Sequence, residues 1–96
     1  ILIKGDISQT TKKKHLQKKI FAGVFMDCNL YEPHVAALNF SWRLLNKGGA
    51  IFLDDYFSLK YPGARIAINE FCEKNNIKIH RVKNYPGDFE RYYLKK

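Results

Sequence analysis

The sequence has few of the residues from which disulfide-rich, zinc-binding or membrane-spanning chains are built. Its 96 residues include two cysteines, three prolines, one methionine and one tryptophan. Cys28 and Cys72 have neither the density of a disulfide scaffold nor the spacing of a zinc site, so we expect two reduced packing residues in a cytoplasmic protein. No apolar run approaches the roughly 20 residues that span a bilayer, and the apolar start is too short for a signal peptide.

Acidic residues are scarce as well, because nine Asp and Glu stand against seventeen Lys and Arg, a formal net charge of +8. Five of the lysines lie between Lys12 and Lys19. Patches that bind nucleic acid usually interleave aromatic or arginine side chains for stacking and bidentate contacts, and this run contains neither. We interpret it as the solvated face of a helix or loop. A basic α/β module that binds nucleic acid is kept as an alternative function.

The pattern of apolar residues indicates one small α/β domain. Short apolar runs are typical of buried strands, and apolar residues at helical spacing predict amphipathic helices. Pro33 fits the first turn of the central helix, and the glycines at 48 and 49 are expected to end it. The predicted strands cover residues 1–3, 20–26, 50–53, 77–82 and 89–94, and the predicted helices cover residues 8–19 (beginning near Thr10 or Thr11), 33–45 and 64–75.

Connection lengths predict how the strands pair. The segment from Glu32 to Asn46 is long enough for a crossover, which implies parallel strands in a right-handed βαβ unit. A turn at residues 85–88 joins the last two strands, which must then be antiparallel. We therefore expect a mostly parallel sheet with an antiparallel hairpin at its C-terminal end.

Three carboxylates follow the two central strands. Asp27 comes directly after residues 20–26, and Asp54 and Asp55 come directly after residues 50–53. Parallel neighbouring strands would bring them to one rim of the sheet, where oxygen ligands suit Mg²⁺. Consecutive strand residues point to opposite faces, so both members of the pair can reach one ion only if the chain leaves the strand there. The alternative is that one of them caps the next turn or pairs with Arg65.

The sequence contains three motifs, Asp-Cys-Asn-Leu-Tyr-Glu at residues 27–32, Leu-Asn-Lys-Gly-Gly-Ala-Ile-Phe-Leu-Asp-Asp-Tyr at residues 45–56, and Gly-Ala-Arg at residues 63–65. Together, at this separation, they resemble the macrocin O-methyltransferase family, which belongs to the class I S-adenosylmethionine-dependent methyltransferases. The match runs from Lys4 to the final hairpin and corresponds to the C-terminal half of that family.

The resemblance implies a Rossmann-like, seven-stranded sheet to which this chain contributes the third to seventh strands. It also implies S-adenosylmethionine and Mg²⁺ as cofactors, with Asp27, Asp54 and Asp55 as metal ligands. Asp27 would in addition lie near the transferred methyl group, as a cofactor-binding residue and a weak candidate for the general base. Asn29 departs from the family, which commonly has Asp there. The loop near the adenine would be formed by Gly5, Asp6, Ile7, Ser8 and Gln9.

The family's glycine-rich cofactor loop has no counterpart in these residues. We therefore expect a longer functional protein, and expect this chain alone to be inactive. The resemblance implies O-methylation of a small hydroxylated acceptor such as a sugar, whose pocket the loop at residues 57–63 would help to shape. No membrane partner is expected, and the oligomeric state, a homodimer included, stays open. A receiver-type phosphoacceptor domain and an inactive methyltransferase-like domain are further alternatives.

Overall fold

The computed structural model describes residues 1–83 and 85–96, which form a four-stranded sheet with three helices. No helix in these ranges is both long and apolar enough to cross a bilayer. The elements in chain order are α1 (Ile7–Thr10), β1 (Phe21–Met26), α2 (Tyr31–Leu44), β2 (Leu45–Leu53), α3 (Pro62–Asn75), β3 (Ile79–Arg81) and β4 (Tyr92–Lys95).

The strands are arranged in the order β1-β2-β4-β3. β1 and β2 are parallel neighbours, as the βαβ prediction required, and β3 and β4 form the predicted antiparallel hairpin. β4 also pairs antiparallel with β2, because it lies between β2 and β3. The expected mostly parallel sheet is not confirmed, since only one of the three pairings among the described strands is parallel. The insertion of β4 separates β3 from the strand it would otherwise have joined in parallel.

The N-terminal segment differs from its prediction. Residues 1–3 form no strand, because no described strand lies beside them to hydrogen-bond, and Ile1 and Leu2 are fully exposed. The helix expected over residues 8–19, beginning near Thr10, instead ends there and is followed by turns. Asp6 caps its first turn by accepting a hydrogen bond from the Ser8 amide at 2.7 Å. The lysine-rich remainder has no apolar stripe that would hold a longer helix against the core.

The central helix α2 has Pro33 in its first turn, as predicted, but it ends before the glycines that were expected to end it. Pro33 is its third residue, and glycine does not end it, because Leu45 already has extended backbone angles (φ −72°, ψ 130°). Leu45 is buried and pairs with Phe21, so β2 begins immediately after the helix. Gly48 does adopt a left-handed φ of +83°, but within β2. Burial of Leu45 in the core therefore fixes the end of the helix before the glycines.

The C-terminal half follows its prediction closely. α3 has Pro62 at its start and ends at Asn75, with Asn76 in the left-handed conformation as its cap. The turn at residues 85–88 forms with Gly87 at φ +83° and a 3.1 Å hydrogen bond from the Asp88 amide to the Tyr85 carbonyl. β3 and β4 are shorter than the predicted runs, because pairing within the hairpin ends at Arg81 and Tyr92.

Helices α2 and α3 pack on one face of the sheet, and the core lies between them and the strands. The core includes Met26, Leu38, Ile51, Leu53, Ile68 and Leu94. Both cysteines are free thiols, as predicted, and burial raises the pKa of Cys72 to about 11. The opposite face carries an aromatic row that crosses all four strands, formed by the paired residues Phe25, Phe52, Tyr93 and His80.

Candidate functional site

The three predicted carboxylates meet at the C-terminal ends of β1 and β2. Met26 and Leu53 are paired as the last residues of these strands, and the Asp54 amide donates to the Met26 carbonyl at 3.1 Å. The chain then bends away from the strand, so that Asp55 turns to the same side as Asp54. One carboxylate oxygen each from Asp27, Asp54 and Asp55 lies within 4.8 Å of the other two. The predicted convergence is therefore confirmed.

The cluster concentrates negative charge at one place in a basic chain. Asp27 and Asp54 are exposed, whereas Asp55 is only 8% exposed. Burial is the main cause that raises the pKa of the Asp55 carboxyl, and the nearby charges of Asp27 and Asp54 raise it further. The backbone N–H of Asn29 acts in the opposite direction, by donating a hydrogen bond to the carboxylate. Ionisation of Asp55 is therefore costly unless a cation compensates the charge.

No basic side chain in the described residues forms an ion pair with the cluster. The ion pairs in residues 1–83 and 85–96 join Arg81 to Glu90 and Arg91 to Asp88. Arg65, the alternative partner considered above, instead places its guanidinium 5.5 Å from the centre of the Phe57 ring. The alternative of an Arg65 ion pair is therefore wrong, since the ion pairs of the described residues do not include it.

The donor set fits a hard divalent cation. Carboxylate oxygens are the ligands that Mg²⁺ and Ca²⁺ take in proteins, and two oxygens bound to one Mg²⁺ at about 2.1 Å lie at most about 4.2 Å apart. The observed upper limit of 4.8 Å is close to this span, so rotation of exposed side chains such as Asp27 and Asp54 is enough to close it. The residues present are thus compatible with the ion that the resemblance implies.

The sequence analysis noted Asn29 only as a departure from the Asp that the resembling family commonly has there, and it did not predict the contact with Asp55. Its backbone has a left-handed φ of +60°, which turns its N–H towards Asp55 Oδ2 at 3.0 Å. With the side-chain amide oriented to satisfy both groups, its nitrogen lies 3.0 Å from Oδ2 and 3.1 Å from Oδ1. The tolerance of Asn for left-handed backbone directly after a strand was the available sequence signal.

His34 is a second residue that the sequence did not single out. It is fully buried on α2, and its Nδ1–H donates to the Leu30 carbonyl, 3.1 Å away. Nε2 is buried without a hydrogen-bond partner in the described part of the chain. The ring is close enough to Asp55 to act on its pKa, in the lowering direction. A buried imidazole on an apolar helix face gave no signal that separates it from core packing.

A cleft of about 540 Å³ opens beside the cluster, and Asp54 belongs to both. An aromatic group forms one side of this region, where the Phe57 ring stacks on Tyr92 at 5.8 Å between ring centres. The loop after β2 contributes to the cleft, in part as the sequence suggested for residues 57–63. The other lining residues are Phe57, Ser58, Leu59, Lys60, Phe89, Glu90 and Arg91.

The five residues predicted to lie near the adenine are only partly brought together. Asp6 and Ser8 line a cleft of about 520 Å³ with Leu30 and Tyr31, which follow the Asp27 loop. Gly5 has a φ of +141°, and a Cβ there would meet Thr10 at 2.9 Å. Gly5, Ile7 and Gln9 do not line this cleft. Ile7 instead packs against the core, and Gln9 is exposed to solvent.

Comparisons with known proteins point to O-methyltransferases. Residues 2–85 match the family model described as Macrocin-O-methyltransferase (TylF). Apo CalS11, a TDP-rhamnose 3'-O-methyltransferase of calicheamicin biosynthesis, is 27% identical, with a TM-score of 0.78 over 98% of this chain and 40% of its own. The O-methyltransferase NovP is 24% identical, with a TM-score of 0.68 over 84% of this chain and 33% of its own.

A structure with lower sequence identity shares the fold with this chain, and the likeness extends no further. The O-methyltransferase from Bacillus cereus in complex with SAH is 14% identical, with a TM-score of 0.55 over 94% of this chain and 46% of its own. No curated protein sequence matches the chain significantly. The chain spans 36% and 40% of the length of the two CalS11 structures, so it corresponds to less than half of each.

Proposed function

Because this chain belongs to the macrocin O-methyltransferase family, we propose that it forms the metal-binding part of an S-adenosylmethionine- and Mg²⁺-dependent O-methyltransferase. The acceptor is a small hydroxylated molecule, of which a sugar is the leading case. The observation that carries the proposal is the meeting of Asp27, Asp54 and Asp55 within 4.8 Å, with no basic partner in the described residues.

The cofactors supply the reactive groups. S-adenosylmethionine provides a methyl group on a sulfonium, and bound Mg²⁺ lowers the pKa of hydroxyls that coordinate it. The chain's own contribution is to hold the metal ion and to orient the acceptor. Asp27, Asp54 and Asp55 hold the ion at the rim of the sheet, and the exposed pair Asp27 and Asp54 leaves open positions towards solvent for an acceptor.

The acceptor is proposed to bind in the cleft that includes Asp54. Its volume of about 540 Å³ is within the range of small-molecule sites, and Phe57 offers an apolar ring surface beside the acidic residue. Lys60 and Arg91 line the same cleft and favour an acceptor that carries negative charge elsewhere in the molecule. The similarity to a TDP-rhamnose 3'-O-methyltransferase supports a sugar, and specifically a nucleotide-linked one.

The cofactor is proposed to contact the second cleft, which Asp6, Ser8, Leu30 and Tyr31 help to line. Leu30 and Tyr31 line this cleft and follow Asp27 by three and four residues, which brings it near the cluster along the chain. Asp6 and Ser8 give it polar side chains, although the Ser8 amide and hydroxyl already engage Asp6 Oδ1. Oδ2 of Asp6 is therefore the oxygen proposed to meet a polar group of the cofactor. Asp27 itself stays the proposed catalytic residue, at the junction of metal and methyl group.

Substitution of each carboxylate in the complete protein tests the proposal. Asp27→Asn, Asp54→Asn and Asp55→Asn should each lower Mg²⁺-dependent methyl transfer at least about 100-fold, because each removes a ligand charge. Transfer is measured with radiolabelled S-adenosylmethionine and a panel of nucleotide sugars, with and without EDTA. Glu73→Gln, the same type of change at an exposed position of α3, should leave turnover unchanged. Turnover that survives EDTA and all three substitutions would remove the metal from the mechanism.

A further inference from the structure

We infer that Asn29 is a positioning residue that clamps Asp55 in the orientation in which it would bind the cation. The inference rests on the proposed metal site and adds to it a residue that does not itself bind the ion. Both the backbone and the side chain of Asn29 donate to the same carboxylate. A contact of this kind holds a ligand in place even when the ion is absent.

The clamp is built by backbone conformation as well as by the side chain. A φ of +60° is uncommon for a residue other than glycine, and Asn is one of the few that adopt it readily. This conformation turns the N–H of Asn29 towards Asp55 Oδ2 while the side-chain amide nitrogen reaches Oδ2 at 3.0 Å and Oδ1 at 3.1 Å. The backbone N–H and one side-chain N–H, which is shared between the two oxygens, therefore converge on one carboxylate.

Two N–H donors of Asn29 leave acceptor positions on Asp55 for a cation. An ionised carboxylate offers about four acceptor positions, two on each oxygen. The backbone N–H of Asn29 takes one on Oδ2, and the side-chain N–H is shared between Oδ2 and Oδ1. Asp55 is also only 8% exposed, so water has little access to compete for the positions that remain. The structure thus presents Asp55 as a ligand that is already fixed in rotation.

The side-chain amide of Asn29 donates to Asp55, which a carboxylate at the same position would not do. An Asp at position 29 would keep the shape of the side chain but would accept rather than donate hydrogen bonds. It would also bring a fourth negative charge within about 3 Å of Asp55, where like charges repel. Asn29 therefore stabilises the ionised form of its neighbour without adding to the charge of the cluster.

Two substitutions of Asn29 test separately the loss of its side-chain donor and the addition of a negative charge. Asn29→Gly keeps the left-handed backbone and its N–H but removes the side-chain amide. Asn29→Asp keeps the size but replaces the donor with a charge. The matched control is Asn76→Gly, the same change at the other asparagine with left-handed φ, +53°, which caps α3 and does not contact the cluster. Binding of Mg²⁺ alone is measured by calorimetry and by competition with luminescent Tb³⁺, in the complete protein without acceptor.

The expected result is a Mg²⁺ affinity about tenfold lower in both Asn29 variants, since supporting hydrogen bonds to ligands are typically worth 10- to 100-fold. Asn76→Gly should bind Mg²⁺ as the unsubstituted protein does, and thermal unfolding without metal checks that all variants are folded. Asn29→Gly within twofold of the unsubstituted protein, or tighter binding by Asn29→Asp, would overturn the clamp but leave the metal site standing. No Mg²⁺ binding by the unsubstituted protein would overturn both the clamp and the metal-dependent function.

Discussion

The amide of Asp54 donates a hydrogen bond to the carbonyl of Met26, 3.1 Å away. This bond continues the parallel ladder for one step beyond the last strand pair, Met26 with Leu53. It therefore ties the start of the Asp54–Asp55 bend to the residue that precedes Asp27. Because both strands end at this rung, backbone pairing brings all three aspartates to the same rim of the sheet.

Asp55 makes the stability of the metal-free protein depend on pH in a defined direction. Its pKa is raised above 3.8 in the folded protein, mainly by burial, so the folded state binds the proton more strongly than the unfolded state. Stability from this group is therefore lost as pH rises from 3.8 through the raised value. In EDTA, the melting temperature of the unsubstituted protein should fall relative to that of Asp55→Asn across this window.

Saturating Mg²⁺ at pH 7 should raise the melting temperature of the unsubstituted protein above that of Asp55→Asn, because a ligand that binds only the folded state raises its stability.

The control for the pH dependence is Asp6→Asn. Hydrogen bonds from Ser8 lower the pKa of Asp6, so its contribution to stability changes with pH in the opposite direction. Stability from Asp6 is present above 3.8 and is lost as pH falls through the lowered value. A melting-temperature difference between the unsubstituted protein and Asp55→Asn that does not vary with pH would contradict the prediction for Asp55.

Gly63 allows the first turn of α3 to approach α2 beside the site. A Cβ at this position would lie 3.0 Å from the Tyr31 backbone nitrogen and 3.1 Å from Tyr31 Cβ. Gly63→Ala should therefore lower the free energy of unfolding by about 1–3 kcal/mol, although alanine favours helices. Gly23→Ala on β1 is the control, because its nearest neighbour would be the Ala50 carbonyl at 3.8 Å. Equal denaturation midpoints for the two variants would show that α3 can shift without cost.

The two isoleucines at 66 and 68 on α3 test how much the helix contributes through its buried face. Ile68 is fully buried, whereas Ile66 on the same helix is 50% exposed. Ile68→Ala should cost about 2–5 kcal/mol through lost burial and the cavity left behind. Ile66→Ala should cost about 1 kcal/mol or less, because its side chain is already half in water. Urea denaturation of both variants measures the difference, and similar costs would mean that α3 packs differently.

Local pattern was sufficient for much of the fold. The apolar runs ending at Met26 and Leu53 predicted the two central strands, and the crossover length predicted that they are parallel. The spacing of apolar residues predicted α3, with the asparagines at 75 and 76 at its end. Residues 1–3 were predicted wrongly because a strand is stabilised by a neighbour, and sequence alone does not show whether one is present.

The candidate site was likewise predictable only in part. The three aspartates were predictable because strand ends are visible in the sequence and parallel strands end at the same rim. Asn29 was seen as an unusual residue at a family position, but its hydrogen bonds to Asp55 depend on a left-handed backbone and on a bend 26 residues later. Contacts between segments so far apart follow from the tertiary fold.

By itself, the sequence determined which residue types end the strands, where chain reversals occur and that Asp27, Asp54 and Asp55 would share a rim. The tertiary structure alone decided that β4 lies between β2 and β3, that Asp55 is the buried member of the cluster and that Asn29 holds it. The physical reason is range: periodicity and turn chemistry act over a few residues, whereas burial and hydrogen bonding at the rim depend on segments that only folding brings together.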